Sequence, residues 1–217
     1  MPRDWRALLE NMSPVMRLVH LAARQDAFDV ESIRGELLRN MRAAYNDELN
    51  IQARRVGCNR TGGVREGPIL SALNEIAKEH AGSIVNTYNY DLALAIQHIR
   101  QEVPSANRYT YAARLSGWNE RREKWKNPQI ALATEQVSRT KAQQDFVDNN
   151  GLREGTARLE PRTAVCPICQ GWIARGDVPI YVAMANPGPW HPNCNHIWNH
   201  QYAQSGKIDC ETLWLGE

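Results

Sequence analysis

The stretch that most constrains this chain is Cys166–His200, which reads CPICQGWIARGDVPIYVAMANPGPWHPNCNHIWNH. It opens with Cys166-x-x-Cys169 and closes with His191-Pro-Asn-Cys194, followed by His196 and His200. Three of the chain's five cysteines and three of its six histidines fall here. Zinc takes four such ligands, thiolate or imidazole, in a tetrahedron. A Cys-x-x-Cys turn brings two sulfurs to one ion, and a second turn across a hairpin supplies two more donors. Pro167 and Pro192 restrict the backbone in both turns, which lowers the entropy lost on closing the site. The spacing predicts a zinc site. Two ligand sets stay open. The first is Cys166, Cys169, His191 and Cys194. The second is Cys166, Cys169, His196 and His200, with His-x-x-x-His on one helix face. Either set fills zinc's coordination sphere, so a closed, structural site is expected.

Two other readings compete. Buried cysteines act as small hydrophobes, and surface histidines need no metal. A redox Cys-x-x-Cys starts a helix after a strand. Here Gly171-Trp172-Ile173 and the Val-Pro-Ile-Tyr-Val run at 178–182 read as strand, which counts against redox chemistry.

The rest of the chain sets the frame. Its 217 residues, 42% of them apolar, suffice for one domain or two small ones. With 26 basic and 24 acidic residues the net charge is +2, which excludes a surface given over wholly to nucleic acid. No apolar run is long enough for a membrane span, and the first fifteen residues lack a signal peptide's apolar stretch. Cys58 and Cys210 stand apart from the cluster and from each other. That is no disulfide framework, and it points to synthesis in a reducing interior.

Helical spacing predicts short helices over 3–11 and about 15–22, then a long one over 31–55 with Leu37, Met41, Ala44, Tyr45 and Leu49 on its apolar face. Residues 56–68, with four glycines and Pro68, form a linker. Arg54, Arg55, Arg60 and Arg65 flank it, as a solvated basic loop or a contact for DNA phosphates. Residues 69–103 read as two helices broken at Asn86–Tyr90, which are poor helix formers. Pro104–Asn107 stops the second. A helix over 108–125 is followed by a restart at Asn127-Pro128 and an end at Asn149-Asn150-Gly151. Beyond it, 156–160 and 178–184 look extended. The fold class expected is α+β, with a mainly helical body over 1–150 and a small β-rich zinc-binding module over 151–217 that includes a C-terminal tail.

Enzyme signatures are missing: there is no phosphate-binding Gly-rich loop, no His-Glu-x-x-His and no serine-hydrolase elbow. No carboxylate pair is singled out for acid–base work. A non-enzymatic role is expected, with no catalytic residues.

The segment from Asn127 to His196 resembles the phage head morphogenesis family, the Mu F-like minor head proteins. The residues that carry the resemblance are Ala133-Thr134-Glu135, Asn150-Gly151, Arg162-Thr163-Ala164-Val165, Cys166-Pro167-Ile168-Cys169 and His191-Pro192-Asn193-Cys194-Asn195-His196. The family's last cysteine is replaced here by His196, so the fourth ligand stays open between Cys194 and His196. The resemblance implies a minor capsid protein of the virion, located at the head or portal vertex and synthesised in the host cytoplasm. It implies docking on the portal or major capsid protein, with packaged DNA within reach, and a part in head assembly or DNA delivery. Two alternatives belong to other classes. A zinc-supported endonuclease of the His-Asn-His type would use Asn195-His196 or Asn199-His200, but its second Cys-x-x-Cys pair is absent. A zinc-finger DNA-binding protein would need a recognition helix rich in Arg, Asn and Gln after the ligands, and none follows.

Overall fold

The structure is a computed structural model. It describes Glu10, Ser13, Met16, His20 and residues 30–160, 166–188 and 196–216, the side chains of 123–128 excepted. The helices expected over 3–11 and 15–22, apart from Glu10, Met16 and His20, and the resemblance residues Arg162–Val165 lie outside the described residues.

The fold is α+β, mostly helical with a small antiparallel sheet near the C-terminus. Three long helices come first: α1 Val30–Arg55, α2 Pro68–Glu102 and α3 Arg108–Asn149. Strand β1 (Gly155–Glu160) follows, then α4 (Pro167–Arg175), β2 (Val178–Pro179), α5 (Ile180–Ala185) and β3 (Ile197–Tyr202). The sheet order is β2-β1-β3 with both pairings antiparallel. Residues fall into two compact units, Met1–Glu36 with Ile76–Pro128, and Leu37–Glu75 with Gln129–Glu217. The change of sequence character near residue 150 lies inside the second unit.

α1 and the linker after it match their sequence signals. Leu37, Met41, Ala44, Tyr45 and Leu49 are all buried. The expected break at Asn86–Tyr90 is absent, and α2 runs straight through it. Poor propensity costs only about 0.5 kcal/mol per residue. Burial of Tyr88 in the first unit's core, with Leu92, Ala93, Ile96, Ile99, Tyr111 and Met16, outweighs that cost. α3 is likewise one helix through Gly117 and Pro128, and Pro128 is where it passes from one unit to the other. Asn107 starts α3, its Oδ1 accepting from the Tyr109 and Thr110 amides at 3.0 and 3.1 Å. Gly151, at φ 65°, ends the helix in a left-handed turn as expected.

Residues 180–185 correct the extended reading of 178–184. Pro179 sits at φ −57°, ψ 145° and caps α5, whose Ile180 and Ala183 are buried three apart on one face. The β-branched run suggested strand, but the period of burial is helical.

The tail packs on the linker and on the end of α3. The Trp214 amide donates to Asn150 Oδ1 at 2.8 Å, and Asn150 Nδ2 donates to the Trp214 carbonyl at 3.1 Å. Leu213 and Leu215 are buried. Gly62 is required there: a Cβ would lie 2.2 Å from the Leu215 Cβ. Arg60 donates to the Cys210 and Glu211 carbonyls at 2.8 and 2.7 Å. Part of the basic cluster thus holds the chain's own tail. Cys58 and Cys210, expected to be unlinked, form a disulfide with Cα atoms 5.5 Å apart. That removes the cysteine argument for a reducing interior. No described helix is long and apolar enough to cross a membrane.

Candidate metal centre

Cys166 and Cys169 sit at the N-terminus of α4. Cys166 is the N-cap, with extended backbone at φ −79° and ψ 162°, and Pro167 begins the helix. The Cys169 amide donates to the Cys166 sulfur at 3.4 Å, and the two sulfurs are 3.3 Å apart. Donation from the Cys169 amide stabilises the Cys166 thiolate and moves its pKa below the ordinary thiol value. Cys169 is fully buried. Two thiolates on a tetrahedral zinc, each at about 2.3 Å, would be about 3.8 Å apart. A small side-chain rotation therefore turns the observed pair into one edge of such a site. Two sulfur donors, one of them the thiolate-prone Cys166, suit the ion chemically, so the described half of the first ligand set fits zinc.

The helix corrects one expectation. Gly171-Trp172-Ile173 belongs to α4 and is not strand, so the strand argument against a redox pair falls. α4 is held from its far side: Trp172 stacks edge-on against Trp198 at 5.5 Å, and Arg175 lies 4.3 Å over the Trp172 ring. Trp198 Nε1 in turn donates to the Asn186 carbonyl at 2.9 Å, at the end of α5.

His191 and Cys194 lie outside the described residues. His196 and His200 lie within them, and the arrangement differs from the helical one expected. His196 immediately precedes β3 and His200 lies within it, four positions further along the chain. At about 3.3 Å per residue they are about 13 Å apart, leaving the same sheet face in parallel with Trp198 between. A helix would have put them one turn apart. The second ligand set loses its geometric basis. Among the described residues no three His, Cys, Asp or Glu side chains converge on a metal position.

His200 has a different environment from a surface imidazole. Its tautomer follows from a chain of hydrogen bonds. Gln52 Nε2 donates to Glu48 Oε1 at 2.6 Å, which fixes the Gln52 amide. Gln52 Oε1 accepts from the Tyr202 hydroxyl at 2.7 Å. The Tyr202 oxygen, 3.2 Å from His200 Nδ1, is left to accept, so Nδ1 carries the proton. His200 Nε2 is then a bare lone pair, buried and without a hydrogen-bond partner. Burial, with the Arg55 charge nearby, pushes the His200 pKa down to about 3. The imidazole is neutral at physiological pH.

Sequence reasoning missed the polar clasp on this strand. Gln143 donates to both the Trp198 carbonyl and Glu48, at 2.8 and 2.9 Å, and Gln136 donates to the His196 carbonyl. β3 is an edge strand, and α3 covers the carbonyls that such an edge leaves unpaired. Arg139 adds ion pairs to Glu135, Asp47 and buried Glu48. The available signal was Gln136 and Gln143 two helical turns apart on one face, but glutamine is equally common on solvated faces.

Compared with known protein families, with curated proteins and with solved structures, the chain shows no significant match to any.

Proposed function

We propose that this chain is a non-enzymatic structural protein of a bacteriophage particle, a minor head protein that docks on portal or capsid protein and carries a zinc-stabilised module. One observation carries the reading. The Cys166-Pro-Ile-Cys169 turn presents two sulfurs 3.3 Å apart, one of them thiolate-prone, and His191-Pro-Asn-Cys194 follows in sequence. Its support comes from context. The Thr134-Glu135 segment of α3, the Asn150-Gly151 turn and the Cys turn, which carry part of the family resemblance, belong to one compact unit. Zinc, when bound, would supply structural cross-linking and no chemistry of its own. Cys166 and Cys169 would hold it with His191 and Cys194, while the tryptophan pair steadies α4. The protein's place is then the virion, at the head or portal vertex, with packaged DNA within reach of Arg54 and Arg65, both exposed.

The test is mass spectrometry of purified phage particles together with copurification on the portal protein. Presence in heads is expected, as is failure to nick plasmid DNA with magnesium, manganese or zinc. Metal-dependent nicking that disappears in His196→Ala or His200→Ala would overturn the reading in favour of the nuclease.

A second reading has one observation of its own. A Cys-x-x-Cys pair at a helix N-terminus, with the outer thiol activated and the inner one buried, is also the arrangement of a thiol–disulfide exchange site. Zinc analysis of protein purified without chelator separates the two. One zinc per chain supports the structural site, and zinc-free protein that forms a Cys166–Cys169 disulfide with oxidised glutathione supports exchange.

A further inference from the structure

Arg122 of α3 is only 8% exposed, yet its Nε and Nη2 donate no hydrogen bond. The nearest acid, Asp91, lies 3.8 Å from Nε, beyond hydrogen-bond reach. The guanidinium is held by aromatic faces instead, 4.6 Å over the Tyr88 ring and 6.0 Å from Trp118. Burial lowers its pKa, although guanidinium stays charged at any physiological pH. A buried cation with idle donors is costly unless something accepts from it.

The same guanidinium lines a groove of about 1110 Å³ between α2 and α3, inside the first unit. Leu94, Ala95, Ala113 and Trp118 give the groove an apolar wall, and Leu94 is 41% exposed. Arg121 shares the lining, with its Nη1 in the space beside Gly117 where a larger side chain would sit. Glu102 is already engaged by Arg114 and His98. With Asp91 beside Arg122 and Glu102 beside Arg114, the groove still carries three arginines, Arg114, Arg121 and Arg122, against two carboxylates, so its excess charge is positive and lies next to exposed apolar surface.

We propose that this groove docks a segment of a partner protein bearing an acidic side chain beside apolar residues. The carboxylate would accept from the Arg122 guanidinium, and the apolar residues would cover Leu94 and Trp118. Nucleic acid fits less well. Asp91 and Glu102 repel phosphodiesters, and the ring in the wall, Trp118, is already packed against Tyr88, 5.7 Å between centroids. The inference does not rest on the head-protein reading, since the groove lies in the other unit from the cysteines.

A random dodecapeptide display library selected on the full chain tests it. Enriched peptides should carry Asp or Glu next to Leu, Ile, Val or Trp, and synthetic copies should bind at least tenfold more weakly when the acid becomes its amide. Arg122→Met and Leu94→Glu should each weaken binding tenfold or more. Because neither Nε nor Nη2 of Arg122 makes a hydrogen bond, Arg122→Met should melt near wild type. If it melts well below, Leu94→Glu, on an exposed wall, carries the comparison alone. No enrichment, acid-free consensus peptides, or binding unchanged in Leu94→Glu would overturn the proposal. Oligothymidylate binding that Arg122→Met or Leu94→Glu abolishes would overturn it in favour of nucleic acid.

Discussion

Cys58 and Cys210 are 152 residues apart and bonded, while Cys166 and Cys169 are three apart and not joined by a disulfide. Both pairs belong to the second unit, and they restrain it differently. The close pair acts through local backbone: one turn, one proline and one amide-to-sulfur bond place the sulfurs together whatever the rest of the chain does. The distant pair meets only because the linker after α1 receives the C-terminal tail, with Gly62 making room for Leu215 and Arg60 binding the carbonyls beside Cys210. Closeness in sequence advertises chemistry that can be finished locally. A link that depends on tertiary placement leaves no such mark.

The comparison breaks first at the metal. A structural zinc contributes roughly 10 kcal/mol or more in isolated finger peptides. Cys166→Ser and Cys169→Ser should lose zinc and raise amide exchange in α4 and β1, while far-ultraviolet circular dichroism stays strongly helical because α1, α2 and α3 dominate it. Both variants exchanging and melting like wild type would show that the close pair holds no ion.

The distant pair is the next lever. In the chain-entropy model, closing a loop of 152 residues stabilises the fold by about 5 kcal/mol. Cys58→Ser should lower the urea midpoint by a corresponding amount without changing zinc content. Reductant should lower the wild-type midpoint and leave that of Cys58→Ser alone. A chelator should lower the midpoint of both proteins. Equal midpoints for wild type and Cys58→Ser would mean that the tail's contacts with the linker and Asn150 suffice without the bond.

The same contrast explains which parts of the molecule were legible in the sequence. α1 was, because Leu37, Met41, Ala44, Tyr45 and Leu49 repeat at helical spacing over a long window. Its linker was, because glycine and proline mark it. The Cys166 turn was legible for the local reason given above. Continuity of α2 was not, since the burial of Tyr88 among distant residues overrides weak local propensity. Nor was the helix at 180–185, where Val178, Ile180 and Tyr181 favour strand in isolation. His196 and His200 share a face in a helix and in a strand alike, so the spacing could not tell one from the other; only pairing with β1 decides. The Gln136 and Gln143 clasp depends wholly on where β3 lands.

The smallest effect concerns His200, and it separates the acid response of the fold from that of the metal. Acid releases zinc by protonating thiolates, so the measurement belongs in zinc-free Cys166→Ser protein. Cys58–Cys210 does not titrate and drops out of the comparison. His200 has a folded pKa of about 3 against 6.5 when exposed. Below 6.5 the unfolded chain binds a proton that the folded chain refuses, because Nε2 is enclosed without an acceptor and Arg55 is close by. Stability is therefore full above 6.5 and falls as pH drops from 6.5 towards 3, by about 1.4 kcal/mol per pH unit from this group. His200→Phe keeps a ring in the site and removes the titration. Urea midpoints of the Cys166→Ser protein should fall more steeply between pH 6.5 and 4 than those of the Cys166→Ser/His200→Phe double variant. Parallel slopes would mean that the imidazole accepts its proton in the folded state as readily as in the unfolded one. The enclosed Nε2 would then have found a partner for that proton, and the clasp beside it would be looser than the hydrogen bonds through Tyr202 and Gln52 imply.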